Sequence, residues 1–350
     1  MLHIDKTNNR LNRYLGLIII VIFGVISTLG TGGGDGGGVS PVTYTGLETQ
    51  ALITSDNAKP LAEIAFLGVT AGASISIGAE QVAPQDESRS ASVVDIVRVL
   101  HTVLSNIDTN SALSASPIGW IETQPPIPGQ CGGSVSGSMD VNESTLEFSG
   151  NLAFSNWCNF GFTMNGNVTF TGTCDAGTFD PSTQTCDIID YIMTFTTFTS
   201  SEMDYSETMT GTLATTLTST GYETTANLLL RDDNANQTFK IENYLVTVTV
   251  DSPLGYDSVV AAGNVYHPVY GFVVVSTLTP VQFFTDALDS APLAGVVLLT
   301  GTNGTVGPTT TATITFVDFL SYEIAVDTDG DGSTDVTWSC TWDPDDCATI

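Results

Sequence analysis

The chain has 350 residues, 42% of them hydrophobic, and it carries a formal net charge of −30 at pH 7. That length is enough for one large domain or for two small ones. A surface this acidic repels nucleic acid and anionic membranes and attracts divalent cations, so the charge excludes nucleic-acid binding. The partners that remain are a component of a cell envelope, a lipophilic ligand, or a membrane contacted only through the N-terminal segment.

The first 30 residues have the layout of a secretory signal. Basic residues at positions 6, 10 and 13 precede an apolar run at 15–26, and small residues follow it. Because this run is short for a membrane span, we expect a cleaved signal peptide, with a retained signal anchor as the alternative. The glycine-rich residues 31–42 are then a flexible tether. The expected location is the periplasm, the outer surface or the extracellular medium.

Residues 43–125 are predicted to form a helical segment that packs on a sheet. Within 44–68 we expect a short strand and then a helix, with Ser55 or Asp56 as the N-terminal cap. A second helix is expected near 91–106, where apolar residues recur at three- and four-residue spacing. Two helices ahead of a long run of strands favour an α+β fold over a βαβ fold.

From residue 126 to residue 350 the pattern is that of antiparallel strands. Apolar residues alternate with Thr, Ser and Asn, which is typical of a sheet with one solvated face. Roughly a dozen strands are expected, and a sheet of that size curls, closes into a barrel or folds over as a sandwich. The fold class is therefore α+β and mainly β, a large curled antiparallel sheet with two helices packed on it. The continuously apolar run 269–275 predicts a strand buried on both faces.

The parity of one hairpin predicts a disulfide. Folding 131–158 back on itself places Val141 opposite Phe148, keeps the apolar residues of both arms on one face, and brings Cys131 opposite Cys158. Cysteines in an exported chain favour disulfides over free thiols. The predicted pairs are Cys131–Cys158, Cys174–Cys186 and Cys340–Cys347.

The C-terminal region contains an aspartate-rich motif, DxDGDGxxD, made of Asp327, Asp329, Asp331 and Asp335. Carboxylates at alternate positions with a glycine turn between them are the ligand set of a calcium loop. The motif resembles the calcium loops of dockerin and thrombospondin type 3 repeats, but Trp338 occupies the twelfth position, where an EF-hand has a bidentate Glu. Asp343, Asp345 and Asp346 are candidates for a further ligand. Keeping the apolar residues on one face places Val326 opposite Val336 and therefore Asp327 opposite Asp335. The alternative is an acidic hairpin tip that is only solvated.

Catalytic signatures are weak. The chain has three histidines, one of them inside the leader, so a multi-histidine metal centre is excluded. His101 is expected to pack within the second helix. His267 has no accompanying GxSxG elbow and is expected to lie at the end of a strand. A hydrolase that uses paired surface carboxylates stays open as an alternative, since the chain is rich in Asp and Glu.

Several phrases of the sequence resemble a family: YTGLETQALITSDNA at 44–58, GNVYHPVYGFVVVST at 263–277, PLAGVVLLTGTNGT at 292–305 and DTDGDG at 327–332. Together they resemble a loose group of exported, often lipoprotein-like bacterial envelope proteins of unknown function that are rich in β structure. The resemblance implies export and a β architecture, and it implies no catalytic residues. Thr31 stands where lipid-anchored members have the lipobox cysteine, so lipidation at that position is excluded.

The expected function is a non-enzymatic structural or adhesive role outside the cytoplasm, with calcium as a candidate stabilising ion. The first alternative is a carrier of lipophilic ligands, in which the helices cover the concave face of a half-barrel. A carrier requires a cavity of several hundred Å³. Its lining would include Met164, Phe170, Met193 and Met209.

Overall fold

A computed structural model describes residues 42–73 and 119–349, apart from gaps at 123–125, 130, 143, 160–161, 179–187, 203–204, 252–255, 285–291, 305–306, 308 and 342–346. The predicted signal peptide, nearly all of the predicted tether and the second predicted helix, with His101, lie outside the described residues.

The described strands all belong to a single antiparallel sheet. They are β1 (Gly119–Glu122), β2 (Ile127–Pro128), β3 (Gly132–Val141), β4 (Glu147–Asn159), β5 (Phe162–Cys174), β6 (Ile188–Glu202), β7 (Tyr205–Thr218), β8 (Gly221–Asp232), β9 (Gln237–Asp251), β10 (Tyr256–His267), β11 (Gly271–Phe284), β12 (Ala294–Thr300), β13 (Thr311–Asp318), β14 (Ser321–Asp327), β15 (Val336–Thr341) and β16 (Cys347–Thr349). From β3 onward each strand pairs with the next, while β1 and β2 both pair with β3.

The strand order runs from β1 to β16 without pairing its two ends, so the described sheet is open. The prediction of a mainly β fold built on one large antiparallel sheet is confirmed. The first strand begins at Gly119, ahead of the predicted start of the β region at residue 126.

A single helix is described, α1 (Ala58–Ala73), and it lies inside the curl of the sheet. It contacts β8, β9 and β10 on one side and β13 and β14 on the other. Tyr244 of β9 donates a hydrogen bond to the carbonyl oxygen of Ala65 at 3.1 Å, and the Phe66 ring lies 5.6 Å from that of Phe316 on β13. Because β11 and β12 separate these strands in the sheet order, the sheet must wrap around the helix.

The helix cap differs from the prediction. Asn57, rather than Ser55 or Asp56, holds the cap position, since its carbonyl oxygen accepts the N–H of Leu61 at 3.1 Å. The Asn57 side chain accepts the N–H of Thr54 at 2.8 Å. A side chain that closes the turn before the helix thereby moves the helix start one or two residues along the chain.

The predicted register of the 131–158 hairpin is confirmed from Ser134 to Val141, where Val141 lies opposite Phe148. Next to the cysteines the register shifts by one residue, so that Gly132 rather than Cys131 lies opposite Cys158. In the β14–β15 pair Val326 lies opposite Val336, as predicted. The paired valines and Phe148 follow the two-residue period that places one side of each strand in the core.

The prediction that 269–275 is buried on both faces is wrong. Val273 and Val275 are buried, whereas Val269 and Val274 are 56% and 38% exposed. Valine is favoured in strands because its branched side chain fits a pleated surface that is only half buried. A continuous valine run therefore does not show that both faces are covered.

A line of β-bulges crosses the middle of the sheet from β4 to β10. The register shifts between Phe154 and Trp157 in β4, between Phe195 and Phe198 in β6, and opposite Ala226 in β9. A glycine with positive φ lies beside the line on neighbouring strands: Gly166 in β5, Gly211 in β7 and Gly263 in β10. Bulges bend a strand and increase its twist, so this crease gives the sheet its curl.

Residues 42–53, which we call the N-terminal strap, cross one end of strands β10 to β13. The Tyr44 ring packs 5.8 Å from Tyr266 on the outer face of β10. The N–H of Ala51 then donates to Phe272 at 2.7 Å, and the N–H of Ile53 donates to the buried hydroxyl of Thr310 at 2.9 Å. The described chain thus begins on the outside of the sheet and passes over its end into α1.

Candidate metal site

The aspartate-rich loop connects β14 to β15. Pairing of the two strands extends to Val326 and Val336, and the N–H of Asp335 donates to the carbonyl oxygen of Val326 at 2.8 Å. The hairpin register therefore brings Asp327 and Asp335 together at the base of the loop, as the sequence predicts.

Asp327 organises the loop through its own carboxylate. Its two oxygens accept the backbone N–H groups of Gly330 at 2.6 Å and of Gly332 at 2.9 Å. Both glycines have φ near +80°, at 78° and 85°, which the loop needs in order to turn back over the carboxylate. Asp327 is 8% exposed, so one carboxylate lies at the bottom of the loop with two fixed donors.

Asp335 is held by Thr328. One Asp335 oxygen accepts both the hydroxyl of Thr328 at 2.6 Å and its backbone N–H at 2.8 Å. These bonds, the hydroxyl first, lower the pKa of Asp335 below its ordinary value, so the carboxylate stays charged. The sequence reasoning missed Thr328, although its position between Asp327 and Asp329 is where a hairpin side chain can reach across to Asp335.

Three of the four predicted ligands meet. Asp327, Asp329 and Asp335 each place one carboxylate oxygen within 4.8 Å of the others, so this group could hold a metal ion. We call it the Asp trio. Asp331 stands outside the trio, and its carboxylate accepts the N–H of Ser333 at 2.7 Å.

The chemistry of the Asp trio suits a hard cation. An ionised carboxylate has about four acceptor sites, so the hydrogen bonds to the loop leave lone pairs for a metal. Three like charges this close repel one another, and a divalent cation between them removes that repulsion. Trp338 lies opposite Ile324 within the strand pair and supplies no oxygen ligand. Asp343, Asp345 and Asp346, the other candidate ligands, lie outside the described residues.

Two of the predicted disulfides are present. Cys131 and Cys158 are bonded with their Cα atoms 5.1 Å apart, and Cys340 and Cys347 with theirs 4.1 Å apart. Cys174 is also disulfide-bonded, and its predicted partner, Cys186, lies outside the described residues. Disulfides persist in oxidising compartments, so these bonds indicate folding outside a reducing cytosol. The second one joins β15 to β16, next to the hairpin that carries the Asp trio.

His267 is the last residue of β10, as predicted, and its ring is enclosed by aromatic side chains. It lies 5.5 Å from Phe239 and 4.4 Å from Tyr270, and its Nδ1 accepts the N–H of Val269 at 3.1 Å. Burial lowers the pKa of His267 to about 4. The imidazole is therefore neutral at ordinary pH and serves packing.

A buried carboxyl group that the sequence reasoning did not single out lies on α1. Glu63 sits between buried apolar neighbours, and burial raises its pKa to about 7, although the charge of Lys59 acts in the opposite direction. Burial and, to a smaller extent, the charge of Glu63 raise the pKa of Tyr322 on β14. The sequence signal that could have indicated this buried carboxyl group is an acidic residue inside the apolar run LAEIAF.

The residues proposed to line a carrier cavity are packed. Met164, Phe170, Met193 and Met209 are each less than 5% exposed. Side chains with so little solvent-accessible surface do not face a space large enough for a ligand. In the described residues this part of the concave face is filled with protein.

The fold and the site define a disulfide-bonded, mainly antiparallel β protein with an acidic hairpin loop of metal-binding geometry. No family model, no curated protein and no solved structure matches the chain. Within residues 42–73 and the described parts of 119–349, no helix has the length and apolar character needed to cross a membrane.

Proposed function

We propose that the protein is an exported, non-enzymatic component of a cell envelope or of the extracellular medium, with a structural or adhesive role. The observation that carries this proposal is the packed concave face, since Met164, Phe170, Met193 and Met209 are buried among other side chains. The disulfides support export. His267, the histidine within the described residues, is buried and neutral, which fits a packing role.

A binding assay with a fluorescent fatty acid tests the structural role against the carrier role. The structural role predicts no saturable binding, because a filled interior has no room for an acyl chain. Met193→Trp and Thr194→Trp form a matched pair on β6, since Met193 points into the core while Thr194 points outward. Saturable binding that Met193→Trp abolishes and Thr194→Trp preserves would identify a carrier and overturn the proposal.

We also propose that the Asp trio binds Ca²⁺ and thereby stabilises the β14–β15 hairpin. Calcium takes six to eight oxygen ligands at flexible geometry, and three carboxylates on a tight glycine-containing loop supply a charged part of such a set. Backbone carbonyls and water would complete it. The role of the ion is structural, since the loop joins two neighbouring strands of the sheet.

A further inference from the structure

The outer face of β9–β12 carries an apolar patch. It consists of Leu245, Val260, Ala262, Leu278, Val296 and Leu298, which we call the outer patch. Leu278 is 59% exposed, the largest exposure among the large apolar side chains of the described residues, and Leu245 and Val260 are each more than 40% exposed. Single exposed apolar side chains are ordinary, whereas the largest contiguous apolar patch of a soluble protein often marks a contact site.

Strand pairing places the members of the outer patch side by side on four neighbouring strands, with the small Ser276 between two of them. Ala262 lies opposite Leu245 on one side and opposite Ser276 on the other, and Ser276 in turn lies opposite Leu298. Leu278 sits where the β11 register shifts against both neighbouring strands, which pushes this residue outward. The patch therefore has its most prominent side chain near its centre.

No charge interrupts this surface. The residues directly opposite members of the outer patch on neighbouring strands are uncharged: Thr225, Thr247, Ser276, Thr279, Thr313 and Thr315. An apolar centre with a polar, uncharged rim is the usual anatomy of a contact surface. Although the chain has a net charge of −30, the outer patch can contact a neutral partner without placing a charged side chain in the contact.

The size of the outer patch argues against a second copy of this chain as its partner. Four strands spaced about 4.8 Å apart and two or three rows of side chains cover about 300 Å². A stable dimer buries about 800 Å² on each partner. A contact of this size is effective when another attachment already holds the two surfaces together.

The chain that precedes the N-terminal strap can supply such an attachment. Tyr44 packs on Tyr266, on the outer face of β10, and Val260 lies six residues before Tyr266 on the same face, about 20 Å away along the strand. Residues 27–41 separate the strap from the apolar run at 15–26 and can span at most about 50 Å. A membrane that holds the apolar run is therefore within reach of the outer patch.

We propose that the outer patch docks on the surface of the membrane in which the N-terminal apolar run is retained, and that this surface is rich in zwitterionic phospholipid. The proposal rests on the envelope location proposed above, and it takes the retained signal anchor, the alternative to a cleaved signal peptide, as its premise. The convex outer face meets the bilayer through Leu278 and its neighbours, and the acidic remainder of the molecule faces away. Anionic lipid weakens the contact, because the net charge of −30 is repelled by it.

Quenching by nitroxide-labelled lipid tests this proposal in the full chain, reconstituted in phosphatidylcholine vesicles. The described cysteines are all disulfide-bonded, so a single added thiol carries the fluorophore. Leu278→Cys reports on the patch, and Ile192→Cys, 47% exposed on β6 and away from strands β9–β12, is the matched control. We expect lipid to quench the label at position 278 and not the label at 192. Adding anionic lipid should reduce the quenching.

Adding Val260→Ser to Leu278→Cys should lower the ratio of docked to undocked protein by about threefold, which is the partition effect of the exposed part of one valine. Equal quenching at positions 278 and 192, or none at 278 in protein that floats with the vesicles, would overturn the proposal while leaving the envelope location intact. Protein that does not float with the vesicles would overturn the docking proposal and the retained anchor, and it would leave release into the extracellular medium as the form of the proposed function. Dimers cross-linked through position 278, without quenching, would assign the patch to a second copy instead.

Discussion

Calcium should raise the melting temperature of the protein through the Asp trio. Calcium sites with few charged ligands and no bidentate Glu belong to the weak, extracellular class, with Kd values of about 10⁻⁴ to 10⁻³ M. The Asp trio has three carboxylates, and Trp338 stands where an EF-hand has its bidentate Glu. At about 10 mM calcium the ion is then at about 10 to 100 times its Kd.

Mass action converts that ratio into stability. A ligand at 10 to 100 times its Kd stabilises the folded state by about 1.4 to 2.7 kcal/mol. For a domain of this size each kcal/mol moves the melting temperature by about 2 to 4 °C. Thermal melts followed by circular dichroism should therefore shift by about 3 to 11 °C between EDTA and calcium. Magnesium at equal ionic strength is the control, because simple screening of the three carboxylates would act equally for both ions.

Two variants with the same change of charge locate the effect. Asp329→Asn removes a member of the Asp trio and should abolish the calcium shift, whereas Asp331→Asn, outside the trio, should preserve it. An unchanged melting temperature of the wild type in calcium would refute the metal site. Loss of the shift in both variants would show that the bound loop recruits Asp331 and differs from the arrangement described above.

The remaining predictions concern the crease and two buried titratable groups. Gly211→Ala should lower the melting temperature by about 2 to 12 °C. At this positive φ an added Cβ would lie 2.9 Å from a backbone atom of β8. Gly177→Ala is the control and should change the melting temperature little, because a Cβ there would make ordinary contacts. Since the pKa of Glu63 is raised from 4.5 to about 7, folding stability should fall as pH rises from about 4.5 to 7, and Glu63→Gln should remove that fall in denaturant titrations. Since the pKa of His267 is lowered from 6.5 to about 4, stability should fall as pH drops from about 6.5 to 4, and a His267→Gln variant that keeps this loss would show that another group causes it.

Hairpin registers and disulfides could be predicted from the sequence because a strand has a strict period of two. In the sequence, Cys131, Val141, Phe148 and Cys158 fit a single register at once, and a slip by one residue would turn one arm inside out. The structure keeps that register from Ser134 to Val141, and the shift beside Gly132 leaves the disulfide in place. The position of the Asp trio follows from the same rule applied to β14 and β15. The hydrogen bonds of Thr328 could not be predicted in this way, since parity gives the face of a residue but not its rotamer.

The sequence could not predict whether the second face of a strand is buried, as the exposed Val269 and Val274 show. A valine is compatible with both environments, and what covers it depends on residues far along the chain. The prediction of the helix cap was wrong for a similar reason. Ser55, Asp56 and Asn57 are all good capping residues, and only the bond from Thr54 to the Asn57 side chain selects among them.

The curl of the sheet depends on places where the two-residue alternation breaks, and those breaks are visible in the sequence. An inward residue followed by another inward residue three positions later cannot lie on a regular strand, because odd spacing changes the face. Phe154 and Trp157, Phe195 and Phe198, and Ile241 and Tyr244 are such pairs, and all six side chains are buried. Each pair spans a bulge of the crease. The inward aromatic residue after each bulge is held in the core only because the bulge restores its direction, so sheet curvature and core packing in this protein have one physical origin.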